Sequence, residues 1–162
     1  MTLTKFTIDA ATAEDYDALC QLFDEVDALH RQRLPHLFQK IEPVREQDYF
    51  LDLVADENVG LFVARAGKAP IGFVNAVLQE APALPLFIPR RYAIVNDITV
   101  VARYRTSGVG RMLMDRVHQW AQDKGAIAVE LAVYEFNQGA IAFYERLGYE
   151  TLSRRMTKSL SD

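Results

Sequence analysis

Chemistry is densest in one short stretch, Arg103-Tyr104-Arg105-Thr106-Ser107-Gly108-Val109-Gly110-Arg111. It joins a nearly continuous apolar, β-branched run at 92–102 to an amphipathic run at 108–124. Strand, short glycine loop and helix N-terminus together are the build of an anion cradle. The amides of a first helical turn have no acceptor within the helix and point outward together, and the helix dipole adds about half a positive charge there. Gly108 and Gly110 let the backbone approach a phosphate without a Cβ in the way. Arg105 and Arg111 add full charges that bind phosphate oxygens through paired hydrogen bonds. Glycine-rich strand–helix turns also occur without a ligand, so the pattern Arg-x-x-Gly-x-Gly is weak by itself. Two other phosphate loops are absent. No Gly-x-x-x-x-Gly-Lys-Ser/Thr string exists, and Leu113 stands where a dinucleotide fingerprint needs its third glycine.

The elements that must position this stretch follow from periodicity. Residues 3–9 alternate as a strand. Thr12, with Asp15 three residues on, opens a helix whose apolar face is Leu19, Leu22, Phe23, Val26 and Leu29. A second helix is expected at 46–56. Strands at 60–66 and 70–79 flank a hairpin turn at Gly67-Lys68-Ala69-Pro70. Three prolines make 81–91 a long loop with an apolar tip, Leu84, Leu86, Phe87 and Ile88. The run 92–102 reads as a strand covered on both faces. Helix 108–124 follows, with Val109, Met112, Leu113, Val117, Trp120 and Ala121 on one side and Gly125 as its stop. A strand at 126–134, a short helix from Asn137 to Leu147 stopped by Gly148, and a last strand at 149–158 complete the order. Strand–helix–strand crossovers in the second half imply an α/β domain with a mixed sheet.

Length and composition bound the function. With 162 residues, half of them apolar and a quarter charged, the chain is expected to form one soluble domain over 1–162. A single cysteine, Cys20, excludes a disulfide framework and a cysteine-based zinc site. His30 and His36 lack partners at metal-ligand spacing, so no metal is expected. No apolar run approaches the roughly 20 residues that span a bilayer, and Met1–Lys5 carry no signal pattern, so a cytoplasmic location without membrane association is expected. The net charge of −4 argues against general nucleic-acid binding. It is unevenly spread: residues 1–60 carry −8 and residues 61–162 carry +4. Six arginines but only two acids fall within 90–116. An anion site in the second half and a cation-tolerant face in the first fit that asymmetry.

At Arg105-Thr106-Ser107-Gly108-Val109-Gly110 the sequence resembles the pyrophosphate loop of the GCN5-related N-acetyltransferases (GNAT). A second block, Asn137-Gln138-Gly139-Ala140-Ile141-Ala142-Phe143-Tyr144-Glu145-Arg146-Leu147-Gly148-Tyr149, is similar to that family's closing motif. Thr106 departs from the glycine that members often carry, which makes the loop slightly stiffer. The resemblance covers nearly the whole chain. It implies the GNAT fold, a mixed, mostly antiparallel central sheet with a parallel splayed strand pair, flanked by helices. It also implies acetyl transfer from acetyl-CoA to a primary amine by direct attack in a ternary complex. The acceptor is a small-molecule or peptide amine, and the resemblance allows a homodimer. A catalytically silent acyl-CoA-binding module and a transferase for longer acyl groups are the alternatives.

By resemblance, the backbone of Val100 and Ala102 pairs with the pantetheine arm. The amides of Arg105, Thr106, Ser107, Gly108, Val109, Gly110 and Arg111 hold the pyrophosphate, and an amide in the Ile98–Val100 region polarises the thioester carbonyl. Asn137 contacts the pantetheine or caps its helix. Tyr144 serves the leaving thiolate. An ordinary tyrosine is a weaker acid than a thiol by about 1.5 units, so a hydrogen bond alone is already useful. Read without the family, Tyr144 is a core aromatic beside Ile141, Phe143 and Leu147. The first candidate for general base is Asp97, since a charge within so apolar a strand needs a purpose or a partner such as Arg103. Asn96 cannot take a proton in this way. Alternation sends Asn96 and Asp97 to opposite faces unless a bulge intervenes. Glu130, Glu135 and Tyr134 are reserves. The acceptor is expected between the N-terminal helices and the loop 81–91, near His30, Arg33, Pro35, His36 and Phe38.

Overall fold

Alternating side chains decide where the layers go. In strand β2 (Val59–Ala66), Leu61 and Val63 join Leu19, Leu22, Phe23, Phe50 and Phe73 in one core. Their neighbours Gly60 and Phe62 turn to the opposite face, where Phe62 meets Trp120 edge-on at 6.2 Å between ring centroids. A Cβ at Gly60 would lie 2.9 Å from the Trp120 ring, so only glycine lets helix and sheet approach there. Period-two alternation thus feeds two helical layers from one sheet.

The computed structural model describes residues 5–161, in two compact units divided between Ala132 and Val133. The first holds β1 (Phe6–Ala10), α1 (Tyr16–Arg33), α2 (Gln47–Ala55), β2, β3 (Ala69–Glu80), β4 (Arg91–Val100), α3 (Val109–Asp123) and β5 (Val129–Leu131). The sheet order is β1-β2-β3-β4-β5, antiparallel except for the parallel pair β4–β5. Helices α1 and α2 bury Leu19, Leu22, Phe23 and Phe50 on one face, and α3 buries Val109, Leu113, Met114, Val117 and Ala121 on the other. Phe23, Phe50 and Phe73 are fully buried; truncating any one to alanine costs about 3–5 kcal/mol. The expected capping box is present, with the Thr12 amide donating to Asp15 Oδ2 at 2.9 Å. It opens one 3₁₀ turn, Ala13–Asp15, before α1 begins. The hairpin turns at Gly67, whose φ is 61°. The second unit contains α4 (Gln138–Arg146), started by Asn137 and stopped at Gly148 (φ 89°).

Four expectations need correction. The strand expected at 92–102 ends at Val100, and Ala102–Tyr104 form a 3₁₀ turn. The strand expected at 126–134 is only three residues long and pairs with β4 through Ala93, Ile94 and Val95. No strand forms at 149–158: residues 150–161 make no backbone–backbone hydrogen bond to a described residue, and Leu152, Met156 and Leu160 stay exposed. Met112, assigned above to the apolar face of α3, is exposed; Met114 is the buried methionine of that helix. The first strand was expected at 3–9, of which 3 and 4 lie outside the described residues.

Candidate active site

Two features of β4 make the site. The first is its free edge. Pairing with β5 runs only through Ala93, Ile94 and Val95, so among the described residues β4 has no strand partner on that side from Asn96 to Val100. The Val101 amide donates to the Ile71 carbonyl of β3 at 2.8 Å. Alternation therefore turns the amides of Ile98 and Val100 toward the open edge. Ala102 lies beyond the extended strand, and its carbonyl accepts from the Arg105 amide at 3.2 Å.

The loop continues from that edge. Among the described residues, no acceptor within hydrogen-bond geometry is found for the amides of Thr106, Ser107, Gly108, Val109, Gly110 and Arg111. Side chains bend the loop instead: Ser107 Oγ donates to the Tyr104 carbonyl, and Thr106 Oγ1 to the Arg105 carbonyl at 2.6 Å. Gly108 caps α3 with φ 89°, no side chain caps that helix, and no acid lies in its first turn. A Cβ at Gly108 would meet nothing within 4 Å, so its surroundings are open. Thr106 also has positive φ, 63°, in a region where β-branched residues are strained. This is the position at which the glycine-bearing pattern is broken.

The arginine excess resolves into separate partners. Arg90 pairs with Glu130 at 2.8 Å, Arg91 with Glu80, and Arg111 with Asp115 at 3.9 Å. Arg116 stacks on Phe62, and Arg103 on Tyr104. Arg105 donates from Nε to the Val100 carbonyl at 2.9 Å and has no carboxylate partner among the described residues. Uncapped amides, an open glycine cap and a guanidinium without an acid beside it fit a diphosphate. No group of three or more His, Cys, Asp or Glu side chains that could hold a metal occurs among the described residues.

The second feature is a bulge. Asn75 of β3 lies opposite Asp97 and Ala76 opposite Val95, which leaves Asn96 as the extra residue. Leu61, on the α1–α2 face, pairs with Asn75, so Asp97 is on that face too. There it meets residues the sequence reading did not bring together. Arg45 clamps Asp27 with two hydrogen bonds, 2.7 and 3.3 Å, donates to the Val44 carbonyl and stacks on Phe23 at 4.4 Å. Burial pushes the Asp97 carboxyl above the usual carboxylate range. The Arg45 charge pulls it back, Asp27 adds to the rise, and Asn75 and His30 oppose it. Arg103, the partner suggested above, is not among these causes. His30 packs against Phe38 at 5.3 Å between ring centroids, as the expected cluster required, whereas His36 is exposed. The reserve acids have other partners, Glu130 with Arg90 and Glu135 with Arg154.

In the second unit, Asn137 caps α4 by accepting from the Ala140 amide at 3.2 Å. Tyr144 lies beside Phe143 (5.3 Å) and edge-on to Tyr149 (5.8 Å). Burial, reinforced by Tyr144, raises the Tyr149 hydroxyl pKa well above its ordinary value. Tyr134 stacks on Phe136.

Beside the parallel pair β4–β5, the uncapped glycine loop before α3 is thus a candidate anion site. A sequence profile described as the acetyltransferase (GNAT) family matches residues 23–149, and this chain belongs to that family. It is 30% identical over 145 residues to an uncharacterized N-acetyltransferase of Methanocaldococcus jannaschii, covering 90% of this chain and 61% of that protein. It is 29% identical over 93 residues to a thialysine N-epsilon-acetyltransferase of Caenorhabditis elegans, covering 54% of this chain and 58% of that protein. The chain thus spans about three fifths of the length of these two relatives. The crystal structure of a mutant BH1408 protein from Bacillus halodurans superposes with a TM-score of 0.91 at 26% identity, over 96% of this chain and 99% of that one. No helix among the described residues is long and apolar enough to cross a membrane.

Proposed function

We propose that the chain transfers an acetyl group from acetyl-CoA to a primary amine within a ternary complex. The observation that carries this reading is the row of acceptor-free amides from Thr106 to Arg111 at the end of a strand whose edge is open. Acetyl-CoA supplies an activated acyl thioester. The loop amides, with Arg105, hold its diphosphate, and the open edge at Ile98 and Val100 receives its arm. An amide at that edge is suited to hydrogen-bond the thioester carbonyl. Asp97 takes a proton from the acceptor's ammonium, leaving a lone pair on nitrogen; its raised pKa makes it a better match to that task than an ordinary carboxylate. Tyr144 offers a hydrogen bond or a proton to the departing sulfur. The acidic first 60 residues favour a cationic acceptor, in line with the lysine-like substrate in the name of the nematode relative.

Thiol release from acetyl-CoA across a panel of amines, with mass detection of the acetylated product, tests this directly. Product bearing one added acetyl group is expected with at least one di- or polyamine or basic amino acid. Coenzyme A binding without turnover on any amine would instead make the protein a silent acyl-CoA-binding module.

A further inference from the structure

Asn75 is the one polar residue in the centre of β3, between Phe73, Val74 and Ala76, all fully buried. It is itself 3% exposed, and its Oδ1 has no hydrogen-bond partner among the described residues. A buried carbonyl without a donor is destabilising. Leucine has nearly the same shape and no such penalty. The residue therefore carries a cost to stability that its own packing does not explain. What it faces does explain it: the ladder places Asn75 directly opposite Asp97, at the bulge created by Asn96.

We infer that Asn75 is a positioning residue, whose side-chain amide donates to the Asp97 carboxylate and fixes it for proton transfer from the acceptor amine. The inference rests on the reading of Asp97 as the base. Two observations support it besides the register. A bulge re-aims the side chain that follows it, and a re-aimed carboxylate needs a partner to hold one rotamer. Asn75 also bears on Asp97 as a hydrogen-bond donor, in the direction that favours the ionised form. The other groups whose charge acts on Asp97 are Asp27 and His30 of α1 and Arg45 from the segment before α2. Arg45 is already occupied by Asp27 and the Val44 carbonyl. Of these groups only the neutral amide acts on Asp97 through a hydrogen bond, so it can orient the carboxylate without neutralising it.

The test compares Asn75→Leu, Asn75→Thr and Asp97→Asn with the wild type, by thermal melting, coenzyme A calorimetry and the pH dependence of kcat on a responsive amine. Asn75→Leu is expected to bind coenzyme A unchanged and, at a pH low enough to keep Asp97 protonated, to melt at least as high as the wild type. Its acid limb is expected to move up by roughly one pH unit, because the ionised carboxylate has lost a donor. Asn75→Thr, which keeps a donor, is expected to restore most of that limb. Should the leucine variant not fold, Asn75→Ala adds no atom and is expected to show the same shift. An unmoved limb in Asn75→Leu or Asn75→Ala, with the limb abolished in Asp97→Asn, overturns the positioning role and leaves the base intact. A limb that survives in Asp97→Asn overturns both.

Discussion

The two sides of β4 solve their problems by opposite means. On its open edge and in the loop beyond, the proposed site is built of backbone: amides of Ile98 and Val100, then the acceptor-free amides from Thr106 to Arg111. On the α1 face, side chains do it: Asp97, Asn75, Arg45, Asp27 and His30, drawn from four separate segments. A backbone site tolerates many side chains but is sensitive to dihedral angles. A side-chain site tolerates backbone adjustment but is sensitive to single atoms. In the proposed reaction the first suits the diphosphate of the acyl donor, and the second suits the acceptor amine.

That contrast can be broken most forcefully at Asp97. Replacing Asp97 with Asn is expected to lower kcat at neutral pH by about a hundredfold or more, with coenzyme A affinity unchanged by calorimetry. The sign of the pH effect follows from burial. Because the folded carboxyl titrates above its unfolded value, Asp97 stabilises the fold only when protonated, and that contribution fades as pH rises through the raised pKa. Asp97→Asn is therefore expected to melt higher than the wild type at neutral pH. Loss of coenzyme A affinity in this variant would mean that the two sides are not separate.

Tyr144→Phe comes next, with kcat at least about tenfold lower and acetyl-CoA affinity within a few-fold. An unchanged kcat would return Tyr144 to the role of a packed aromatic. On the backbone side, Gly108→Val forces a β-branched residue to a φ of 89°. At about 1–2 kcal/mol of strain, coenzyme A should bind roughly tenfold more weakly while the KM for the amine stays put. The smallest effect is expected from Arg111→Ala. Arg111 already faces Asp115 and is well exposed, so affinity should fall only a few-fold and lose part of its salt dependence. Affinity that vanished in this variant would show that side-chain charge, rather than the amide row, holds the ligand.

The same contrast explains what the sequence reveals. The backbone site is local: Arg105, Gly108 and Gly110 are close in sequence, between a strong strand pattern and a strong helix pattern, and both elements form, the strand ending two residues early. Asn137 as a cap and Gly148 as a stop are legible for the same reason. The side-chain site depends on register. Asp97 stands out as a charge in an apolar run, but its companions Arg45 and Asn75 are distant in sequence, and only strand pairing with a one-residue bulge brings Asn75 to it. No composition or periodicity signal marks Arg45, one of several arginines. The strand expected at 149–158 fails for a related reason, since a strand pattern specifies a face but cannot supply a hydrogen-bonding neighbour.

The central claim is that the amides around Ser107 bind a diphosphate. The most direct measurement is calorimetric titration with coenzyme A and with acetyl-pantetheine, which lacks the diphosphate, while the amide resonances of Thr106–Arg111 are followed by NMR. Saturable heat with coenzyme A, shifts confined mainly to those amides, and far weaker binding of acetyl-pantetheine are expected. Equal affinity for both compounds, or coenzyme A binding that leaves these amides unmoved, would contradict it.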